Sequence, residues 1–184
     1  MATEYIGFHG TDKKNIGSIK QANFIESTND DEWLGYGVYF FVEGISDPLH
    51  NACEWAKNQA HSKEGLQYKE YAVLKVKSVC SKVLDTTTIE GLKAFNTLRE
   101  ALIEKHDQHF TPNREQLCDN RVMWNLVSSQ MNLDAVIHNL YIKNKTQRIK
   151  KIQSNVPNTT VMCVKVPHSI ELGSIEVVRR GRVR

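Results

Sequence analysis

Two stretches decide the reading of this chain: Phe8-His9-Gly10-Thr11 and, further along, Leu34-Gly35-Tyr36-Gly37-Val38-Tyr39-Phe40-Phe41. Each is a short apolar run that carries residues a buried strand does not choose. His-Gly-Thr ends the first. Two glycines straddle Tyr36 in the second, and glycine weakens a strand, so some other requirement favours it there. Together the stretches read as two walls of a pocket for a flat ring.

Outward from these, hydrophobic spacing gives the elements. Residues 4–9 read as a strand and 12–22 as a short helix, with Ile16 and Ile19 on one face and Thr11 or Asp12 as its cap. Residues 27–32 are polar and loop-like, and 38–42 form a continuous apolar strand. Residues 46–61 read as a helix with Ser46 or Asp47 near the cap, Pro48 in the first turn, and Leu49, Ala52, Cys53, Ala56 and Ala60 along one face. Strands are expected at 71–79, 82–85, 134–138, 159–166 and 175–178. Helices are expected at 88–105 and 113–131, separated by Pro112. In the first of these, Ile89, Leu92, Phe95, Leu98 and Leu102 share a face. The pattern is one α+β domain over residues 1–184, with a basic loop at 143–158 and a basic tail at 179–184.

Composition narrows the class. At 184 residues the chain can bury a real core. No apolar run approaches the roughly 20 residues a bilayer span needs, and the N-terminus lacks the pattern of a signal peptide, so the expectation is a cytoplasmic protein with no membrane partner. Cys53, Cys80, Cys118 and Cys163 are scattered without CxxC spacing, which points to buried thiols rather than a disulfide or zinc framework. The net charge of +3 is uneven. From Lys143 onward there are ten lysines and arginines against two acidic residues, a local balance of +8; the preceding 142 residues hold fourteen against nineteen, or −5. Such asymmetry suits an anionic partner, nucleic acid included, although no aromatic residues are interleaved for base stacking.

In order and spacing, His9-Gly10-Thr11 followed by Gly35-x-Gly37-Val38-Tyr39-Phe40 resembles the diphtheria-toxin-like ADP-ribosyltransferases, the group containing the poly(ADP-ribose) polymerases. That family carries His-Gly-Ser/Thr on its first strand and Gly-x-Gly-Ile/Val-Tyr-Phe on a later one. A helix rich in small residues follows, matched here by Asn51-Ala52-Cys53-Glu54-Trp55-Ala56. The close resemblance covers roughly residues 4–60. It implies a fold of split antiparallel β-sheets with flanking helices, and NAD as substrate. It also implies roles: His9 bonds a ribose hydroxyl, the Gly10 main chain pairs with the nicotinamide carboxamide, and Thr11 adds a hydrogen bond or caps a helix. Tyr39 stacks on the nicotinamide and Trp55 closes the other face. Glycine suits position 10 because a ligand must approach the main chain closely.

The resemblance also exposes a departure. Polymerising members place a catalytic Glu just before a C-terminal strand; aligning Val161-Met162-Cys163-Val164-Lys165 with that strand puts Thr160 at the position. No acidic residue lies between Asp134 and Glu171, and another register would bring one of those two in. The implied activity is mono-ADP-ribosyl transfer to a protein or nucleic-acid acceptor with release of nicotinamide. His9, Tyr39 and Thr160 are the expected catalytic set. The alternative is an inactive module of the same fold that holds NAD or ADP-ribose. An RNA 2′-phosphotransferase shares the fold but needs further His and Arg residues around a phosphate, which find no match here. Asp30-Asp31-Glu32 reads as a loop rim, beside the NAD pocket in the family, with a role in gating the acceptor. His106 and His109 have helical spacing without a third ligand, so no metal site is expected.

Overall fold

Strand β1 (Thr3–Asp12) organises the sheet. It pairs antiparallel with β5 (Glu70–Cys80) along its whole length, from Thr3 opposite Cys80 to Asp12 opposite Tyr71. Its other neighbour, β2 (Val38–Val42), meets it at only two residue pairs, Gly7 with Val42 and Phe8 with Phe41. The remaining strands of this sheet are β6 (Val83–Asp85), β7 (Ala135–Leu140), β8 (Thr159–Val164) and β9 (Glu176–Arg182). The order is β6-β7-β8-β2-β1-β5-β9, antiparallel throughout except for the parallel pair β6 and β7. A two-stranded ribbon, β3 (His61–Ser62) with β4 (Gly65–Leu66), stands apart. The computed structural model describes residues 1–112 and 115–183.

Expectation and structure agree on the mixed α+β class. Instead of two separate sheets there is one seven-stranded sheet, but its halves are joined only through the two-pair seam between β1 and β2. Beyond Phe8 and Phe41 the two strands run on without pairing. Main-chain groups on β1 past that point have no partner in β2, and buried main-chain groups seek partners. The opening is therefore a place for a ligand or for side chains.

Helices cover both faces. α2 (Pro48–Gln59) starts where Asp47 accepts hydrogen bonds from the Leu49 and His50 amides, at 2.8 and 3.1 Å, with Pro48 in its first turn. Its small residues Ala52, Cys53 and Ala56 are buried against one face of the sheet, together with Leu102 of α3 (Ile89–Lys105) and Met123, Trp124 and Val127 of α4 (Gln116–Met131). On the other face α1 (Ile16–Ala22) buries Ile19 beside Phe24, Phe40, Leu74 and Val76. Along β5 successive side chains alternate between the faces: Leu74 and Val76 pack on the α1 side, Tyr71 and Val73 on the α2 side.

Several expectations need correcting. The first helix is shorter than 12–22, because Asp12 ends β1 and a 3-10 turn, Lys13–Asn15, precedes α1. Ile89 and Leu92 in the predicted apolar face of α3 are exposed, and only Leu102 of that face is fully buried. The basic loop at 143–158 contains a short helix, α5 (Lys145–Ile149), closed by a capping box between Asn144 and Gln147. The basic tail is not a tail: Arg179, Arg180 and Arg182 lie on β9, paired with β5. Asn113 and Arg184 lie outside the described residues. The cysteines are free; Cys53, Cys80 and Cys163 are buried as expected, Cys118 only partly. No helix among the described residues is long and apolar enough to cross a membrane.

Candidate functional site

The unpaired stretch of the β1–β2 seam opens into a cavity of about 690 Å³, within the range of small-molecule sites. His9, Gly10 and Thr11 line it from β1, Tyr39 from β2 and Trp55 from α2. The five residues expected to bind the nucleotide thus meet at one place, although α2 and β1 are joined only through packing.

His9 sits at the seam. Its Nδ1 lies 2.9 Å from the carbonyl oxygen of Tyr39. A carbonyl can only accept, so Nδ1 carries the proton and Nε2 of the neutral ring is an acceptor. The ring packs edge-on against Phe24 and Phe40, with centroids 5.0 and 5.9 Å away. Burial lowers its pKa from 6.5, opposed by the bond to Tyr39. A neutral imidazole with a free acceptor nitrogen suits a hydroxyl donor.

Gly10 has a structural reason that the ligand argument did not anticipate. A Cβ there would lie 2.1 Å from the Ala52 carbonyl oxygen and 2.9 Å from the Ala56 Cβ. Glycine lets α2 press onto β1, and that contact brings Trp55 over the cavity. Thr11 does not cap the helix; Asp12 caps the 3-10 turn by accepting from the Lys14 amide at 3.1 Å. The Thr11 hydroxyl instead accepts from the Asn15 side chain at 3.0 Å, and both residues line the cavity.

Tyr39 is locked. Its hydroxyl accepts from the Leu34 amide at 2.9 Å and donates to the Gly35 carbonyl at 2.6 Å, leaving the ring as cavity wall. Burial raises its pKa far above the usual phenol value, so it stays neutral. The glycine turn before it is held from behind by Lys165, whose ammonium donates to the carbonyls of Leu34 and of Tyr36, the latter at 2.8 Å. Gly37, at φ 150°, passes so close to β8 that a Cβ would lie 2.5 Å from the Cys163 Sγ. The two glycines of the opening motif therefore shape a turn that positions Tyr39.

Sequence reasoning missed Trp33. Its ring meets Tyr39 edge-on at 6.4 Å and Trp55 at 5.2 Å, so it links the two rings that were expected to face each other alone. The signal was present as a large apolar residue at the end of an otherwise acidic loop. Glu32 was also undervalued. The loop carrying it is closed at its base by paired main-chain bonds between Ser27 and Gly37, 2.9 and 3.1 Å. Arg121 of α4 holds its tip through an ion pair to the Asp30 carboxylate at 3.2 Å and a bond to the Tyr36 hydroxyl at 2.6 Å. Between these anchors Asp31 and Glu32 reach the cavity wall.

Thr160 corrects the expected catalytic set. It lies on the opposite side of β8 from Val161, the strand's cavity residue. Its side chain is buried beside Gly44, accepts from the Ile45 amide at 3.1 Å and donates to Asn139 at 2.8 Å. The carboxylates of a shifted register do not reach the cavity either. Asp134 accepts from the Ser81 and Lys82 amides, and Glu171 pairs with Lys77 at 2.9 Å.

A second, smaller cavity of about 210 Å³ adjoins the first through Phe41 and Trp55. His50, Lys143 and Arg148 line it with Asn51, Asn144 and Asn158. The basic region read from the sequence is thus divided. Its first part surrounds α5 beside this cavity, and the arginines of β9 lie on the edge strand of the sheet. Among the described residues no three His, Cys, Asp or Glu side chains gather as a metal site; the His106 and His109 rings are 5.9 Å apart.

No protein-family model matches the chain. It is 28% identical over 121 residues to a protein of Methanocaldococcus jannaschii described as uncharacterized protein MJ0359. The match covers 64% of this chain and 53% of that protein, so the chain spans about half the length of the curated relative it matches.

Proposed function

We propose that this chain has an ADP-ribosyltransferase-like fold and transfers a single ADP-ribose unit from NAD to a macromolecular acceptor. One observation carries the reading: His9, Gly10, Thr11, Tyr39 and Trp55, singled out by their order in the sequence, line one cavity. In this reading the nicotinamide ring enters the β1–β2 seam and rests against Tyr39 and the Trp33–Trp55 pair. The main chain of Gly10 bonds the carboxamide. His9 Nε2 accepts from a ribose hydroxyl, its orientation set by the Nδ1 bond to Tyr39. Holding the ring and the ribose in fixed relation lets nicotinamide depart while the sugar carbon gains oxocarbenium character. Positioning and fixed dipoles supply the acceleration.

The acceptor is a protein or a nucleic acid. The second cavity beside Trp55, where Lys143 and Arg148 outnumber Glu54, favours an anionic segment at the acceptor side. A second reading keeps the fold and the cavity but removes turnover, leaving a module that holds NAD or ADP-ribose. The placement of Thr160 outside the cavity favours it.

The experiment that separates them is direct. Purified protein is incubated with NAD and, separately, with protein, RNA and DNA, while nicotinamide release and labelled ADP-ribose are followed. Release with transfer to one acceptor class supports the transferase. Binding without release leaves the module, and no binding removes both.

A further inference from the structure

The cavity has walls for the nicotinamide and an acceptor nitrogen for the ribose, but neither Thr160 nor a C-terminal acid supplies a carboxylate to it. Two carboxylates among the described residues do line it, those of Asp31 and Glu32. They differ in setting. Asp31 is exposed, whereas Glu32 is half-buried and turned back toward the base of its loop. There the Ser27 hydroxyl donates to its Oε1, and the Asn29 amide approaches at 3.4 Å.

Glu32 has no ion pair among the described residues, in contrast to Asp30 in the same loop, which Arg121 neutralises. Burial raises its pKa above 4.5, with Asp31 adding to the rise and Ser27, Tyr39 and Asn29 opposing it. A half-buried, unpaired carboxyl beside a tyrosine, in a cleft that a histidine also lines, is the setting in which proton-transfer groups are found. The loop is also well anchored: main-chain bonds tie Ser27 to Gly37, and Arg121 fixes the tip.

We propose that Glu32 supplies the missing carboxylate of this site and is the general base for the nucleophile that replaces nicotinamide. The inference rests on the NAD-cleaving reading above. The bond between ribose C1′ and the nicotinamide nitrogen breaks, and its electron pair leaves with nicotinamide, neutralising the pyridinium charge. The nucleophile's oxygen forms the new bond to C1′, and its proton passes to the Glu32 carboxylate and then to solvent. With water as nucleophile the products are ADP-ribose, nicotinamide and one proton. Before the proton arrives, the carboxylate's negative charge also faces the oxocarbenium carbon.

The test uses the full chain, NAD as probe and water as nucleophile, reading NAD binding and nicotinamide release separately. Glu32→Gln keeps the size of the side chain and a partner for Ser27. It is expected to bind NAD as the wild type does and to release nicotinamide roughly a hundredfold more slowly. The wild-type rate is expected to rise with pH across a group titrating above 4.5, and Glu32→Gln to lose that limb. The other titratable groups coupled to this carboxyl are Asp31, Tyr39, Cys163 and Lys165. Ser27→Ala removes a bond that lowers the Glu32 pKa and is expected to move the limb to higher pH with Glu32 still present. This variant decides the matter should Glu32→Gln fail to fold. A folded Glu32→Gln with wild-type rate and pH profile, or an unmoved limb in Ser27→Ala, overturns the assignment and leaves the transferase standing. A wild-type protein that binds NAD without release, in water and with each of the protein, RNA and DNA acceptors, overturns both and leaves the module; failure to bind NAD removes the pocket reading as well.

Discussion

The His9 imidazole donates through Nδ1 to the carbonyl of Tyr39, 2.9 Å away, just past the point where β1 and β2 stop pairing. The side chain takes the place of a ladder bond. It holds the opened seam at a fixed width and leaves its other nitrogen an acceptor on a residue that lines the cavity. His9→Ala is therefore expected to weaken NAD binding roughly tenfold, the cost of one lost bond plus a carbonyl left without a partner. Tyr39→Ala removes the ring wall and the two bonds to the glycine turn, and is expected to weaken binding further. Calorimetric titration with NAD checks both. Unchanged affinity in either variant would falsify the placement of the nicotinamide.

Lys165 carries the glycine turn from the opposite side. Its partly buried ammonium donates to the Leu34 and Tyr36 carbonyls, and burial lowers its pKa from 10.5. Lys165→Met preserves the packing but leaves two carbonyls unsatisfied. A loss of about 2–4 kcal/mol in urea unfolding is expected, with weaker NAD binding because Tyr39 loses its anchor. A variant as stable as the wild type shows that the turn holds without the lysine.

Thr160 leads to the opposite expectation from the one its sequence position suggests. Its hydroxyl satisfies the Ile45 amide and Asn139, away from the cavity. Thr160→Val should cost about 1–3 kcal/mol of stability and leave NAD affinity alone. Thr160→Glu should destabilise the fold rather than raise turnover, because it forces a carboxylate into a site where Gly44 already lies against the threonine. A gain in nicotinamide release on Thr160→Glu would return the residue to the catalytic set.

The contrast between Thr160 and Tyr39 shows what was legible. The run Val38–Val42 is apolar on both faces, so its strand could be read directly. Asp47 followed by Pro48 announced α2 by its cap. The motif residues stood out because a pocket wall needs unusual residue types, and they line one cavity. A strand's two faces differ by one position, however, and the register of β8 is fixed by its pairing with β2 and β7, far away in the chain. Shifting attention from Thr160 to Val161 crosses the sheet, and nothing local marks the difference. The second half of β9 was hidden for a related reason: the strand expected at 175–178 runs on through its arginines because the edge of β5 offers main-chain partners. Asn144 and Gln147, by contrast, spell a capping box that was legible and overlooked.

Two partly buried histidines make the fold sensitive to acid. His138 donates from Nδ1 to the Thr86 hydroxyl at 2.8 Å, since that hydroxyl spends its own proton on the Ile137 carbonyl at 2.9 Å. Burial lowers the pKa of His138 and of His9 below 6.5. Below that pH the unfolded chain takes up protons that the folded chain refuses. Stability is thus fully present above pH 6.5 and falls as pH drops toward the folded values, by at most about 1.4 kcal/mol per pH unit for each histidine. Glu32 acts with the opposite sign. Its raised folded pKa contributes stability below 4.5 that is lost as pH rises through the folded value. Two depressed histidines against one raised carboxyl leave a net loss of stability on acidification just below pH 6.5. Urea midpoints measured between pH 5 and 8 should show that slope, and His138→Gln should lessen it. A flat profile in the wild type would mean that neither ring is held neutral by burial, and that His9 does not present the acceptor nitrogen on which the ribose contact depends.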